Sequence, residues 1–139
     1  MNNILSRLPV YAAALWWGSL TTIGFLVVPL LFMHLPTPAL AGGMAAKLFT
    51  AQTWMSVACG GILLLTSTSK QASAPAQRAH DAIVFILLGM LLALLVEFAV
   101  APRIVTRTNL KLWHSVGSVM YLVQWLCAAI VFWRITPKQ

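Results

Sequence analysis

The stretch Leu91–Val105, LLALLVEFAVAPRIV, decides the fold. It is apolar up to Val96, carries one acid at Glu97, returns to apolar residues and closes on Pro102 and Arg103. The whole chain holds only two acids, Asp81 and Glu97. An acid placed inside such a run makes the surroundings of the run the first question.

Outward from Glu97 the pattern extends. From Ala82 to Pro102 the only charge is Glu97, and no Asp, Glu, Lys or Arg occurs over Leu8–Ala46, Leu48–Ser69 or Leu112–Trp133. Of the 139 residues 60% are hydrophobic and 8% charged, against about a quarter charged in a soluble domain. A helix crosses a bilayer with roughly 20 apolar residues, and in lipid the backbone must satisfy its own hydrogen bonds. The spacing therefore predicts an all-α, four-helix transmembrane bundle in one domain. Its helices are expected at about Leu8–Phe32, Leu48–Thr66, Ala82–Ala101 and Leu112–Trp133. A cleaved signal peptide is the alternative at the N-terminus. Arg7 and the residues after it fit its first half, but the uncharged run continues past the roughly 7–15 residues of an h-region.

The loops expected between these helices are His34–Gly43, rich in Pro and Gly, Ser69–His80, small and polar, and Arg103–Lys111, basic. Short loops make sequential helices antiparallel neighbours. The net charge of +7 is spread over helix ends and loops, as membrane flanks require. No basic cluster with interleaved aromatics is present, so nucleic acid is not an expected partner. Arg7, Lys70, Arg78, Arg134 and Lys138 fall on the side of the termini, and Lys47, Arg103, Arg107 and Lys111 on the other. This small excess favours cytoplasmic termini.

An internal echo runs through the chain. FLVVP (Phe25–Pro29) and FAVAP (Phe98–Pro102) each end an apolar run, and Lys47-Leu48-Phe49 and Lys111-Leu112-Trp113 open the helices that follow. Two similar helical hairpins, related as parallel repeats, and chance similarity of apolar sequence both account for it.

Glu97 falls in line with Gly89, Ala93 and Ala101, and residues four apart share a helix face. Small residues let a second helix approach, so the acid is expected to face protein. It precedes Arg103 by six residues, about 9 Å of rise, which sets it below one membrane surface. On helix four His114, Ser118, Tyr121 and Trp125 share a face that is polar at its mouth, and His34 belongs to the same side. The expected polar site is therefore Glu97, His114, Arg103, Ser118 and Tyr121. Glu97 would be the protonatable or cation-binding group, His114 would tune its charge, and Arg103 would pair with it or anchor to lipid phosphate. The plainer alternative is an acid paired to His114 or Arg103 that locks two helices.

No cofactor is assigned. The alternative function is a haem or redox protein with His34 and His114 as axial ligands. There is no CxxCH, and Met33, Met44 and Cys59 read as ordinary apolar residues. Cys59 and Cys127 both lie in predicted helices without a CxxC, which favours packing over a disulfide or metal. P-loop, GxGxxG and HExxH motifs are absent, so a non-enzymatic role is favoured. Gly60-Gly61 and Gly117 read as packing residues, and Pro29 and Pro102 as kinks near helix ends.

The segments WWGSL, VVPLLFMHLP, AGGMAAKLF and LWHSVGSVMYL together resemble the bacterial membrane proteins of domain of unknown function 4149, the group related to transmembrane protein 205. Trp16-Trp17-Gly18, Pro29, Phe32, Ala41-Gly42 and His114 stand at the family's recurring positions, while Ser115 and Tyr121 depart from its usual Gly and Asn. The resemblance implies a four-span inner-membrane protein, and by analogy with the vertebrate relatives a link to transport. A more distant likeness to copper-resistance D-type membrane proteins rests on helix count and histidines. The expected function is transport, binding or an accessory role in the bilayer, with an unidentified small-molecule or ion substrate and a homo-oligomer or larger complex as the assembly. A structural or assembly subunit of a membrane complex is the third reading.

Overall fold

The computed structural model describes residues 3–68 and 73–136. Lys70 and Lys138, used above for orientation, lie outside the described residues. Four helices are long and apolar enough to cross a membrane: span one Ile4–His34, span two Pro38–Ser67, span three Ile83–Val105 and span four Leu110–Ile135. A short helix, Ala74–Asp81, precedes span three. Among the described residues there is no strand. Each span packs on the next, and span four closes back on span one. Spans one and three, and spans two and four, therefore face each other across the bundle.

The helices are longer than the charge spacing predicted. Most of the expected first loop is helix, because Thr37 caps span two: its Oγ1 accepts from Leu40 N at 3.3 Å, and Pro38 takes the first helical position. Both residue types suit those places. Ala74–Asp81 is helical too, with Pro75 in its first turn, and Ser73 before it donates its hydroxyl to Ser6 O at 3.0 Å. Span three continues a turn past Pro102 to Val105. The reversal that follows uses left-handed backbone at Arg107 (φ 56°) and Asn109 (φ 44°); Asn is among the few non-glycine residues that enter this region readily.

The prolines do more than kink. Residues Ile23–Val27 and Val96–Val100 are π-helical, with Val28 N–H bonded to Ile23 O and Ala101 N–H to Val96 O. Proline has no N–H and crowds the carbonyl four residues back. A π turn widens the helix just before Pro29 and Pro102, so the backbone passes each proline and continues. The same offset separates Ile23 from Val96, Phe25 from Phe98 and Pro29 from Pro102. The echo in sequence is thus also an echo in backbone geometry.

The interior is layered. Toward the termini Ala12, Ala13, Trp16 and Leu20 pack with Cys59, Leu63, Ala82, Ile86, Ala128, Val131 and Ile135. Trp16 is fully buried. Its ring lies against Gly89, where an added Cβ would come within 2.8 Å of Cζ2 and Cη2. Gly60 holds a similar place under Met90, while Gly61 has open space beside it. Outside, Leu15, Leu26, Leu65, Leu87, Leu91 and Leu126 are exposed, as lipid solvation demands.

Candidate functional site

Glu97 stands on the π turn of span three, half-buried and beside the buried line of Ile86, Gly89, Ala93 and Val100. A π turn closes between residues five apart, so the four-residue stride that extends the small-residue stripe loses register here. Glu97 consequently sits at the seam with span two rather than on the bundle axis. Thr50 Oγ1 donates to Glu97 Oε1 at 2.8 Å. Among the described residues Glu97 makes no hydrogen bond or ion pair with His114 or Arg103.

The other expected members are engaged elsewhere. Arg103 donates through Nη1 to Ala99 O, and its guanidinium lies 4.6 Å from the ring centre of Trp113, a cation–π contact at the membrane edge. His114 and Ser118 are exposed, and Ser118 Oγ returns to His114 O at 2.8 Å. Tyr121 turns toward span one: its hydroxyl donates to Leu20 O at 2.7 Å. Trp125 Nε1 likewise donates to Thr21 Oγ1 at 2.9 Å. The inner half of that face, Tyr121 and Trp125, therefore looks at span one, while its outer half, His114 and Ser118, stays exposed. Gly117 instead meets span three, where an added Cβ would lie 3.2 Å from Val100 Cγ1. His34 ends span one, exposed. Among the described residues no three His, Cys, Asp or Glu side chains form a metal-sized group.

One polar assembly was not foreseen. Gln52, Ser56 and Gln124 are buried at mid-bundle. Gln52 Nε2 donates to Ser19 Oγ at 3.0 Å, and Gln124 Nε2 donates to Ser56 Oγ at 2.9 Å across the diagonal from span four to span two. Ser56 Oγ in turn donates to Gln52 O at 2.9 Å. Thr53, also buried, points to Ala93 O at 3.5 Å. The signal lay in Gln52 and Ser56, which are four apart on one face of an uncharged run. Each side chain is spoken for by another span, which is the pattern of a helix-locking layer.

On the side of the termini two arginines cross. Arg78 of the short helix donates through Nη1 to Ile135 O of span four at 3.4 Å, and Arg134 of span four donates through Nη1 to Asp81 O of the short helix at 3.1 Å. Each cation thereby meets the negative end of the other helix.

No curated protein and no solved structure matches this chain. A family model described as a domain of unknown function, 4149, matches residues 11–112, from span one through span three to the start of span four, and the chain belongs to that family.

Proposed function

We propose that this is a non-enzymatic binding or accessory protein of the bacterial inner membrane, with cytoplasmic termini, whose working group is the Glu97 carboxyl. The observation that carries the reading is the position of Glu97. It is half-buried inside a membrane span, one oxygen is held by Thr50, and no cation is paired to it among the described residues. An acid at this depth is costly, and an ionisable group inside a span points by default to function. Its seam between spans two and three opens sideways, toward a proton, a cationic ligand or a neighbouring helix. Trp16, Leu20, Leu63 and Ile86 fill the axis, which favours binding over conduction through one chain. A transport path would then run between copies. Arg103, at the membrane edge on Trp113, anchors to lipid phosphate in this reading. His114 and Ser118 line the exposed rim of span four, and Tyr121 fixes that span.

The test is labelling with a lipid-soluble carbodiimide, which reacts with carboxyl groups reachable from the bilayer. With two acids in the chain the adduct is assigned by peptide mapping. The adduct is expected at Glu97, absent in Glu97→Gln, and diminished by lipophilic amines. A protein left unlabelled at Glu97 would make the acid a helix lock, and the proposal would fall.

A further inference from the structure

The crossed arginines frame an open cavity of about 500 Å³ lined by Arg78, Asp81, Trp133, Arg134 and Thr136. We propose that this cavity binds the headgroup of a phospholipid carrying both a phosphodiester and a primary ammonium, as in phosphatidylethanolamine.

Charge chemistry is the first support. Each guanidinium carries five N–H donors, and Arg78 and Arg134 each commit one nitrogen to a backbone carbonyl, Ile135 O and Asp81 O. That bond fixes the guanidinium in place and leaves its remaining donors for a ligand. Arginine matches phosphate oxygens through paired donors. Asp81 lends Arg134 its carbonyl, not its carboxylate, and among the described residues that carboxylate forms no ion pair with either arginine. Two cations and one anion kept apart in one cavity match a zwitterion better than a plain anion, which Asp81 would repel. The ammonium belongs at Asp81 and the phosphodiester between the two arginines.

Location is the second support. The cavity lies where span three begins, at Ile83, and span four ends, at Ile135, so it opens at headgroup level. Trp133 is 77% exposed beside it, and an indole at that level marks the membrane interface. Arg134 also lies 4.9 Å from the ring centre of Phe85, which holds its side chain against the bundle. The volume falls in the roughly 300–1,000 Å³ range of small-ligand clefts. The site lies at the opposite membrane face from Glu97 and is independent of the function proposed for it.

The experiment is native mass spectrometry of the full chain in mild detergent, with phosphatidylethanolamine, phosphatidylglycerol and phosphatidylcholine offered in equal amounts. Phosphatidylethanolamine is expected to be retained roughly fivefold over the other two, the factor that about one ionic contact at a membrane surface supplies. Asp81→Asn keeps the backbone carbonyl used by Arg134, so the helices stay joined. It is expected to erase the preference over phosphatidylglycerol while leaving lipid bound. Arg134→Lys, which keeps the charge and loses the paired donors, is expected to lower retention of all three. Equal retention of the three lipids, a preference for phosphatidylglycerol, or an Asp81→Asn profile like that of the parent would each overturn the proposal. Full displacement by soluble glycerophosphoethanolamine at equal concentration would overturn the lipid as its source.

Discussion

Trp16 and Gly89 touch across the bundle diagonal, and the sequence offset between them is the one that also separates Pro29 from Pro102. The largest side chain of span one thus fills the hole left by the smallest residue of span three. This contact sets how closely the two hairpins approach. Gly89→Ala places a Cβ within 2.8 Å of the Trp16 ring, and a fully buried indole has nowhere to go. We expect a loss of about 1–3 kcal/mol, the cost of overpacking a tight interior, seen as a lower unfolding midpoint in detergent. Trp16→Phe in the same chain should recover part of it, because the smaller ring vacates the contact. The double-mutant cycle reads that coupling directly, and strict additivity would show the two residues to be independent.

The buried amide layer should behave as a lock. Gln124→Leu keeps the volume and removes the bond to Ser56 Oγ. Interhelical hydrogen bonds in membranes contribute on average about 0.6 kcal/mol, at most about 1.7, so the expected loss lies in that range. A gain in stability would mean that the layer is retained for something other than holding spans two and four together.

The fold and the candidate site were legible to different degrees, for physical reasons. Charge-free length is a property of composition, so the four spans could be found from the positions of Arg7, Lys47, Lys70, Asp81, Arg103, Lys111 and Arg134. Span ends were harder: Thr37-Pro38 is a helix start written inside what composition reads as a loop. The partner of Glu97 was hidden because a periodic projection assumes an unbroken helix, and the π turn before Pro102 breaks it. Thr50 carries no charge to announce a pairing, and the polar face of His114, Ser118 and Tyr121 gave no sign of which neighbour it would meet.

Tyr121 makes the clearest prediction on the span one to span four seam. Tyr121→Phe loses the hydroxyl bond to Leu20 O and keeps the ring on Phe49, 5.3 Å between centres. That change should cost about 1 kcal/mol. Gly24→Ala should cost more, since its Cβ would lie 2.5 Å from Tyr121 Cε1 and push the ring off both partners. The order of the two melting points decides the point. If Gly24→Ala is the milder change, the seam is looser than this packing implies.

The haem reading is settled by colour. His34 and His114 are exposed and sit on different spans, and nothing among the described residues draws them onto one ligand. Protein purified in mild detergent should show no Soret absorption. A Soret band that disappears in both His34→Ala and His114→Ala would reinstate the redox function.

The two prolines offer the sharpest test of the site. Pro102→Ala restores an N–H and removes the clash that widens the turn, so Val96–Val100 is expected to close into α-helix. Closing a π turn changes the direction of the side chains on it, and Glu97 should swing off Thr50. Pro29→Ala makes the same backbone change in span one, away from Glu97. Carbodiimide labelling of Glu97 should therefore change severalfold in Pro102→Ala and stay near the parental rate in Pro29→Ala. Equal effects of the two substitutions would mean that labelling follows general loosening of the bundle. An unchanged rate in both would mean that the π turn does not set the position of the acid. Only a response confined to Pro102 ties the reactivity of Glu97 to the local geometry that its own proline imposes.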